Sequence, residues 1–239
     1  MDIVTKRPTL PVKSSGKKVY CGFRGIERRP NRAEALYRTF HLSHVLYRTG
    51  NHGTKTMCYW LHLLTDSDGE PYDPWGCRIK YGKPISIIEI GCGNGMLCNT
   101  LSQMELNVTG MDIVGLEDIY DRSKYKFIQK DLVETPYNFK DRQFDYCLCF
   151  DVLEHLPEKA IPKVLKEMAR ISNKLIIKVA CDGGPPLHLT VHNLGWWEYK
   201  LYEFCPEFSW QTIRNFEQIR PRTGKTVYAP LFYGRRLKD

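Results

Sequence analysis

The sequence predicts an α/β fold: a doubly wound, mainly parallel seven-stranded sheet that ends in an antiparallel hairpin and is preceded by N-terminal helices. Three observations predict it. From residue 85 onward, short apolar, β-branched runs alternate with segments of helical spacing. The first run, Ile85-Ser86-Ile87-Ile88, leads into Glu89-Ile90-Gly91-Cys92-Gly93-Asn94-Gly95, a glycine-rich turn of the kind that lets a ligand touch backbone N–H groups at a strand-to-helix connection. The last two strand-like runs, Phe216 to Arg220 and Thr226 to Phe232, are joined by the turn-forming link Pro221-Arg222-Thr223-Gly224-Lys225.

Taken in order, residues 1–31 contain Pro8, Pro11, Gly16, Gly22, Gly25 and Pro30 with little periodicity, the pattern of an extended leader. The leader is basic: residues 1–38 hold ten Lys/Arg against three acids, most of the net charge of +8. Such a segment attracts phosphate-rich partners, nucleic acid included, or is a solvated arm. Residues 32–83 are expected to form N-terminal helices and a loop that together make a lid. Ala33, Leu36, Tyr37 and Phe40 have helical spacing, Gly50-Asn51-His52-Gly53 interrupts it, and Met57, Trp60, Leu61 and Leu64 repeat it with Thr54 as a cap. Residues 66–83 are rich in turn formers.

Residues 84–239 make the main domain. A strand at 85–90 precedes the glycine turn, and Met96, Leu97, Leu101 and Met104 mark the helix after it. Strands follow at Val108 to Ile113, Lys126 to Gln129 and Phe144 to Phe150. Ile161, Val164, Leu165 and Met168 then give a helical face before the apolar run Leu175 to Ala180.

Composition narrows the class. With 42% hydrophobic and 26% charged residues the chain is ordinary for a globular protein, and no apolar stretch approaches the roughly 20 residues that cross a bilayer. The first residues lack the apolar core of a secretory signal, so a soluble, cytoplasmic protein without a membrane partner is expected. Nine cysteines, an odd count without zinc-ligand spacing, are expected to be reduced and mostly buried, and no metal site is predicted.

The residues around the glycine turn suggest what it binds. A dinucleotide fingerprint requires Gly or Ala at the position that Met96 occupies, which disfavours a pyrophosphate-binding dehydrogenase. Asp112 ends the second strand, where a carboxylate can accept two hydrogen bonds from a ribose diol. Asp131 ends the third and could receive an exocyclic amine, with Leu132 as an apolar flank. Either acid could instead cap the backbone locally.

With Asp151-Val152-Leu153-Glu154-His155-Leu156 after the fourth strand, the order of motifs resembles the class I S-adenosylmethionine-dependent methyltransferases, over roughly residues 84–236. The resemblance implies a Rossmann-like methyltransferase fold, S-adenosylmethionine as cofactor and S-adenosylhomocysteine as product. It also implies a cofactor-binding set: Glu89, Gly91, Cys92, Gly93 and Gly95 at the methionine end, Asp112 and Ile113 at the ribose, Asp131 and Leu132 at adenine, and Asp151 and Val152 on the floor.

Methyl transfer to a hydroxyl generally needs a base or a metal. His188 is the preferred candidate base because it follows the fifth strand, with His192 second and His155, just past the fourth strand, third; His52 is a fourth candidate, on the expected lid. Trp196 and Trp197 could stack on a ring or sugar, or one of them could pack into the core. The sequence carries neither an Asn/Asp-Pro-Pro-aromatic motif nor a Pro-Cys pair, and Cys205-Pro206 is the reverse order, so the two standard DNA-base methyltransferase types are disfavoured. The expected activity is methyl transfer to an oxygen or nitrogen of a small-molecule or saccharide-like acceptor. The alternatives are a nucleic-acid or nucleotide acceptor recruited by the basic leader and a non-catalytic S-adenosylmethionine-binding module.

Overall fold

Strands with a side-chain period of two bury both faces of the central sheet. Ile88 and Ile90 of β1 (Ser86–Ile90), Cys147 and Cys149 of β4 (Phe144–Phe150), and Leu175 and Ile177 of β5 (Ser172–Lys178) belong to one apolar layer. Their neighbours Ile87, Tyr146, Leu148, Phe150 and Ile176 belong to the other. The structure is a computed structural model and describes residues 57–64, 85–114, 122–181, 187–219 and 226–237. The basic leader, the first expected helix, His52, Thr54, the turn-rich run at 66–83 and the 221–225 link lie outside those residues.

Seven strands form one sheet in the order β3-β2-β1-β4-β5-β7-β6, with β2 at Asn107–Asp112, β3 at Lys126–Gln129, β6 at Phe208–Ile219 and β7 at Thr226–Arg236. The first five are parallel, while β7 runs antiparallel to both β5 and β6. Helix α2 (Met96–Gln103) places Leu97, Cys98 and Leu101 in one layer. Helices α3 (Ile161–Ile171) and α4 (Leu194–Phe204) place Ile161, Val164, Leu165, Met168, Trp197 and Leu201 in the other. Helices on opposite faces keep the crossovers right-handed as the strand order reverses beside β1.

The expected doubly wound sheet and C-terminal hairpin are present. Strand β6 begins at Phe208, well before the expected Phe216, and pairs with β7 from Phe208↔Arg236 to Ile219↔Thr226. The reason is visible in Phe208-Ser209-Trp210-Gln211-Thr212-Ile213, a period-two pattern whose aromatic members stack at 5.8 Å between ring centres. Likewise β5 starts at polar Ser172, ahead of the expected Leu175. The register of Ser172 on Phe144 extends the ladder, and the Lys174 ammonium donates to the Tyr146 hydroxyl at 2.9 Å.

One piece of the expected N-terminal region is described. Helix α1 (Met57–Trp60) continues as a 3-10 turn over Leu61–Leu63. Trp60 and Leu64 are completely buried, Trp60 stacks on Phe150 at 5.3 Å between ring centres, and the Tyr146 hydroxyl donates to the Leu63 carbonyl at 2.8 Å. Phe150 is the last residue of β4, so this segment is anchored at the strand end from which the candidate site departs. Trp60→Ala should therefore cost about 3–5 kcal/mol, as large aromatic truncations in cores do. Urea unfolding would show a lower midpoint at an unchanged slope; an unchanged midpoint would mean that the segment does not dock.

Candidate functional site at the strand-order reversal

The strand order changes direction between β1 and β4, and the connections leaving these two strands meet there. The Gly91 and Cys92 N–H groups donate to the Met111 carbonyl at 2.7 and 3.1 Å, folding the turn back over the end of β2. Gly91 has φ +71°, and a Cβ on it would lie 2.3 Å from Val152 Cγ2. The turn can thus pack directly on the chain leaving β4 only with glycine at this position. Gly95, at φ +78°, begins helix α2, and a Cβ there would lie 2.0 Å from the Tyr125 hydroxyl oxygen. Beneath the turn, buried Glu89 accepts the Cys98 thiol at 3.0 Å, and burial pushes that thiol well above its ordinary pKa.

The two strand-end acids both make local backbone bonds. Asp112 Oδ2 accepts the Gly93 N–H at 2.8 Å and Oδ1 accepts the Val114 N–H at 2.9 Å. The carboxylate thereby fixes the glycine turn, and with about four acceptor positions it retains capacity for further donors. Asp131 Oδ1 accepts the Val133 N–H at 3.0 Å, the local bond expected of an acid at a strand end. Leu132 is buried, and its carbonyl accepts the Tyr137 hydroxyl at 3.0 Å. Parallel register aligns Ile90 with Met111 and Asp112 with Gln129, so the glycine turn, Asp112-Ile113 and Asp131-Leu132 all follow the carboxyl ends of neighbouring strands.

After β4, Asp151 adopts φ +53° and its carboxylate takes both oxygens to within 2.6 Å of the Lys178 ammonium. The two side chains are only 11% and 5% exposed. Next comes a 3-10 turn over Leu153–His155. Glu154 is fully buried; its Oε1 accepts the Ala180 N–H at 2.9 Å. Burial, followed by the Asp151 charge, raises its pKa well above the carboxylate range, against the opposing effects of backbone hydrogen bonds and Lys178. The Glu154 carbonyl accepts the Leu189 and Thr190 N–H groups at 2.8 and 2.9 Å, and the Thr190 hydroxyl donates to the Leu156 carbonyl at 2.7 Å.

Those bonds bring two of the candidate histidines together. His155 Nδ1 lies 3.0 Å from the Leu187 carbonyl, which fixes the proton on Nδ1 and makes Nε2 the basic nitrogen. The His188 ring stands edge-on to it at 4.6 Å between centres. His192 is elsewhere: its Nε2 is 2.9 Å from Glu158 Oε2, and its ring stacks on Trp196 at 3.9 Å. Trp197 is the member of the tryptophan pair that enters the core, while Trp196 stays half-buried. Three residues absent from the expected set help to shape the site: Lys178, Glu154 and Tyr125. Lys178 had a readable signal, since a lone charge inside the apolar run Leu175 to Ala180 needs a buried partner.

Known proteins share this fold. Residues 87–174 match the family described as "Methyltransferase domain". This stretch of the chain is similar to that family's domain. The curated relatives include two proteins named ubiquinone biosynthesis O-methyltransferase. The one from Nitrosomonas europaea is 27% identical over 92 residues, 36% of this chain and 38% of the relative. That from Colwellia psychrerythraea is 31% identical over 83 residues, 32% of this chain and 33% of the relative. The matches thus span little more than a third of those relatives. Among solved structures, Burkholderia thailandensis 1,6-didemethyltoxoflavin-N1-methyltransferase, with bound 1,6-didemethyltoxoflavin and S-adenosylhomocysteine, superposes with a TM-score of 0.59 at 16% identity, covering 90% of this chain and 94% of that one. An S-adenosylmethionine-dependent methyltransferase from Archaeoglobus fulgidus gives 0.52 at 15% identity, covering 64% and 86%. These likenesses establish the Rossmann-like methyltransferase fold.

Two substitutions probe the domain's switch point. Gly91→Ala combines a left-handed backbone with a clash on Val152, and should cost about 1–3 kcal/mol for the backbone alone; adding Val152→Ala should restore the steric part in a double-mutant cycle. Purely additive effects would show that the two loops do not touch. Lys178→Met deprives the buried Asp151 carboxylate of its cation and should lower stability by about 3–5 kcal/mol. Pairing it with Asp151→Asn should recover most of the loss in chemical denaturation, and no recovery would contradict the ion pair.

Proposed function

We propose that the protein is an S-adenosylmethionine-dependent methyltransferase that moves the methyl group to an oxygen of a small-molecule acceptor. The observation that carries this reading is the alignment of the glycine turn, Asp112 and Asp131 along successive parallel strand tips beside the order reversal, within the stretch that matches the methyltransferase family. In open α/β sheets that crevice is where ligands lie. In this reading the backbone of Gly91 to Gly95 and buried Glu89 border the methionine end. Asp112 receives the ribose hydroxyls, with Ile113 beside it. Asp131 receives the adenine amine with Leu132 as an apolar edge, and Asp151 and Val152 form the floor.

An oxygen acceptor is favoured by the name shared by the curated relatives. An attacking hydroxyl must also lose a proton, and an imidazole pair adjoins the proposed floor. As the acceptor oxygen forms its bond to the methyl carbon, the carbon–sulfur bond breaks and sulfur keeps the electron pair. The product is the neutral thioether S-adenosylhomocysteine, and the hydroxyl proton passes to a basic group such as His155 Nε2 or His188. Most of the rate enhancement then comes from alignment of the three reacting atoms and exclusion of water. Docking of Trp60 and Leu64 at the end of β4 supports a covering role for the N-terminal segment.

Calorimetry with S-adenosylhomocysteine tests the reading. The wild type should bind it and not a nicotinamide dinucleotide, and Asp112→Ala should weaken binding by about 1–3 kcal/mol through lost charge-assisted hydrogen bonds. Unchanged affinity in a variant whose circular dichroism remains native would remove Asp112 from the proposed pocket.

A further inference from the structure

Glu154 combines two properties that ordinarily exclude each other. It is completely buried, yet its Oε2 has no hydrogen-bond partner among the described residues. A buried carboxylate oxygen in that condition costs several kcal/mol unless something satisfies it. The nearby Lys178 ammonium is held by both oxygens of Asp151 at 2.6 Å. What lies beside Glu154 are the two imidazoles. One donor atom from each of Glu154, His155 and His188 can be chosen so that all lie within 4.8 Å of one another, and this is the group of its kind among the described residues.

We propose that Glu154, His155 and His188 bind a divalent first-row transition-metal ion. Donors on one side of such an ion, each at about 2.0–2.2 Å, lie about 3 Å apart, so atoms that lie within 4.8 Å of one another draw in by up to about 2 Å on binding. The chemistry of the set is that of two imidazoles and one carboxylate on one side of an ion, with the remaining positions open. Imidazole donors favour manganese, iron, cobalt or zinc over magnesium, which prefers all-oxygen surroundings.

The surrounding bonds are those of a supported ligand set. The Leu187 carbonyl holds the His155 Nδ1 proton, directing Nε2 toward the ion. Ala180 N–H fixes Glu154 Oε1, while Oε2 has no hydrogen-bond partner among the described residues. The Leu189 and Thr190 N–H groups, clamped on the Glu154 carbonyl, keep His188 beside the Leu153–His155 turn. Asp151 is excluded from the set by Lys178, so a dication here carries net positive charge after neutralisation by a single carboxylate.

The open positions would accept the acceptor's hydroxyl oxygen. With the ion bound, His155 and His188 serve as ligands in place of a base: the ion would lower the pKa of that hydroxyl, whose proton leaves to water, and orient the oxygen for in-line attack, selecting acceptors with two neighbouring oxygens that can chelate. This catalytic role rests on the methyltransferase reading; the site itself does not.

The test uses full-length protein stripped with a chelator and titrated with Co(II), followed by visible absorption and calorimetry, with S-adenosylhomocysteine binding measured on the same samples. One equivalent of Co(II) should bind with a ligand-field spectrum of mixed nitrogen and oxygen donors. His188→Ala and Glu154→Gln should each weaken binding by at least about 10-fold, and His192→Ala, which removes the separate imidazole paired with Glu158, should leave it unchanged. His188 is half-buried, so its variant serves if Glu154→Gln fails to fold. Absence of Co(II) binding, equal binding in wild type and His188→Ala, or loss only in His192→Ala would overturn the proposal. Retained S-adenosylhomocysteine binding without cobalt binding would sink the metal site alone, whereas cobalt binding without S-adenosylhomocysteine binding would sink the methyltransferase reading and leave the site.

Discussion

Strands β1 and β4 lie side by side and run in the same direction, but the chain leaving β1 crosses toward β2 while the chain leaving β4 crosses toward β5. Right-handed crossovers make this divergence unavoidable once the strand order reverses, and the divergence opens a notch at the carboxyl ends. The candidate site is built from the walls of that notch. Gly91 permits the two walls to touch, because any side chain there would occupy the space of Val152. Asp112 then ties the neighbouring strand to the same turn through the Gly93 N–H.

Charge is concentrated on the β4 side of the notch. Asp151, Glu154 and Lys178 are withdrawn from water together, which makes their mutual arrangement energetically steep. The Asp151–Lys178 pair joins the ends of β4 and β5, and the Asp151 N–H also donates to the Lys178 carbonyl at 2.8 Å. Glu154 extends the network through Ala180 and through the backbone clamp on Leu189 and Thr190. A loop far along the chain is thereby brought to the strand tip with its histidine in place. The same polar arrangement that positions His188 beside His155 also leaves one buried carboxylate oxygen seeking a partner.

Much of this was legible in the sequence where local pattern and tertiary role coincide. The runs at β1, β3 and β4 are apolar or alternating because they are covered by helices, and their boundaries fall close to expectation. Strand beginnings rich in polar residues, Ser172 to Lys174 and Phe208 to Thr212, were hidden because their pairing is set by neighbouring strands rather than by their own hydrophobicity. The glycine turn and the strand-end acids were readable as a set because each lies at a fixed offset from an apolar run. The histidine arrangement was not. His155 and the segment that holds it are joined across 32 residues by a hydrogen bond from the imidazole to the Leu187 carbonyl that no local spacing encodes, and His192, near His188 in sequence, turns instead to Glu158 and Trp196.

The central claim is that a sulfonium nucleoside spans the tips of β1, β2 and β4 at the order reversal. A crystal structure of the protein grown with S-adenosylhomocysteine measures this most directly. The account predicts the ribose hydroxyls within hydrogen-bond distance of the Asp112 carboxylate, adenine beside Leu132, and the sulfur facing the side of the notch that carries His155 and His188. Density for the nucleoside at any other face, or a notch that stays empty at saturating ligand, would contradict it.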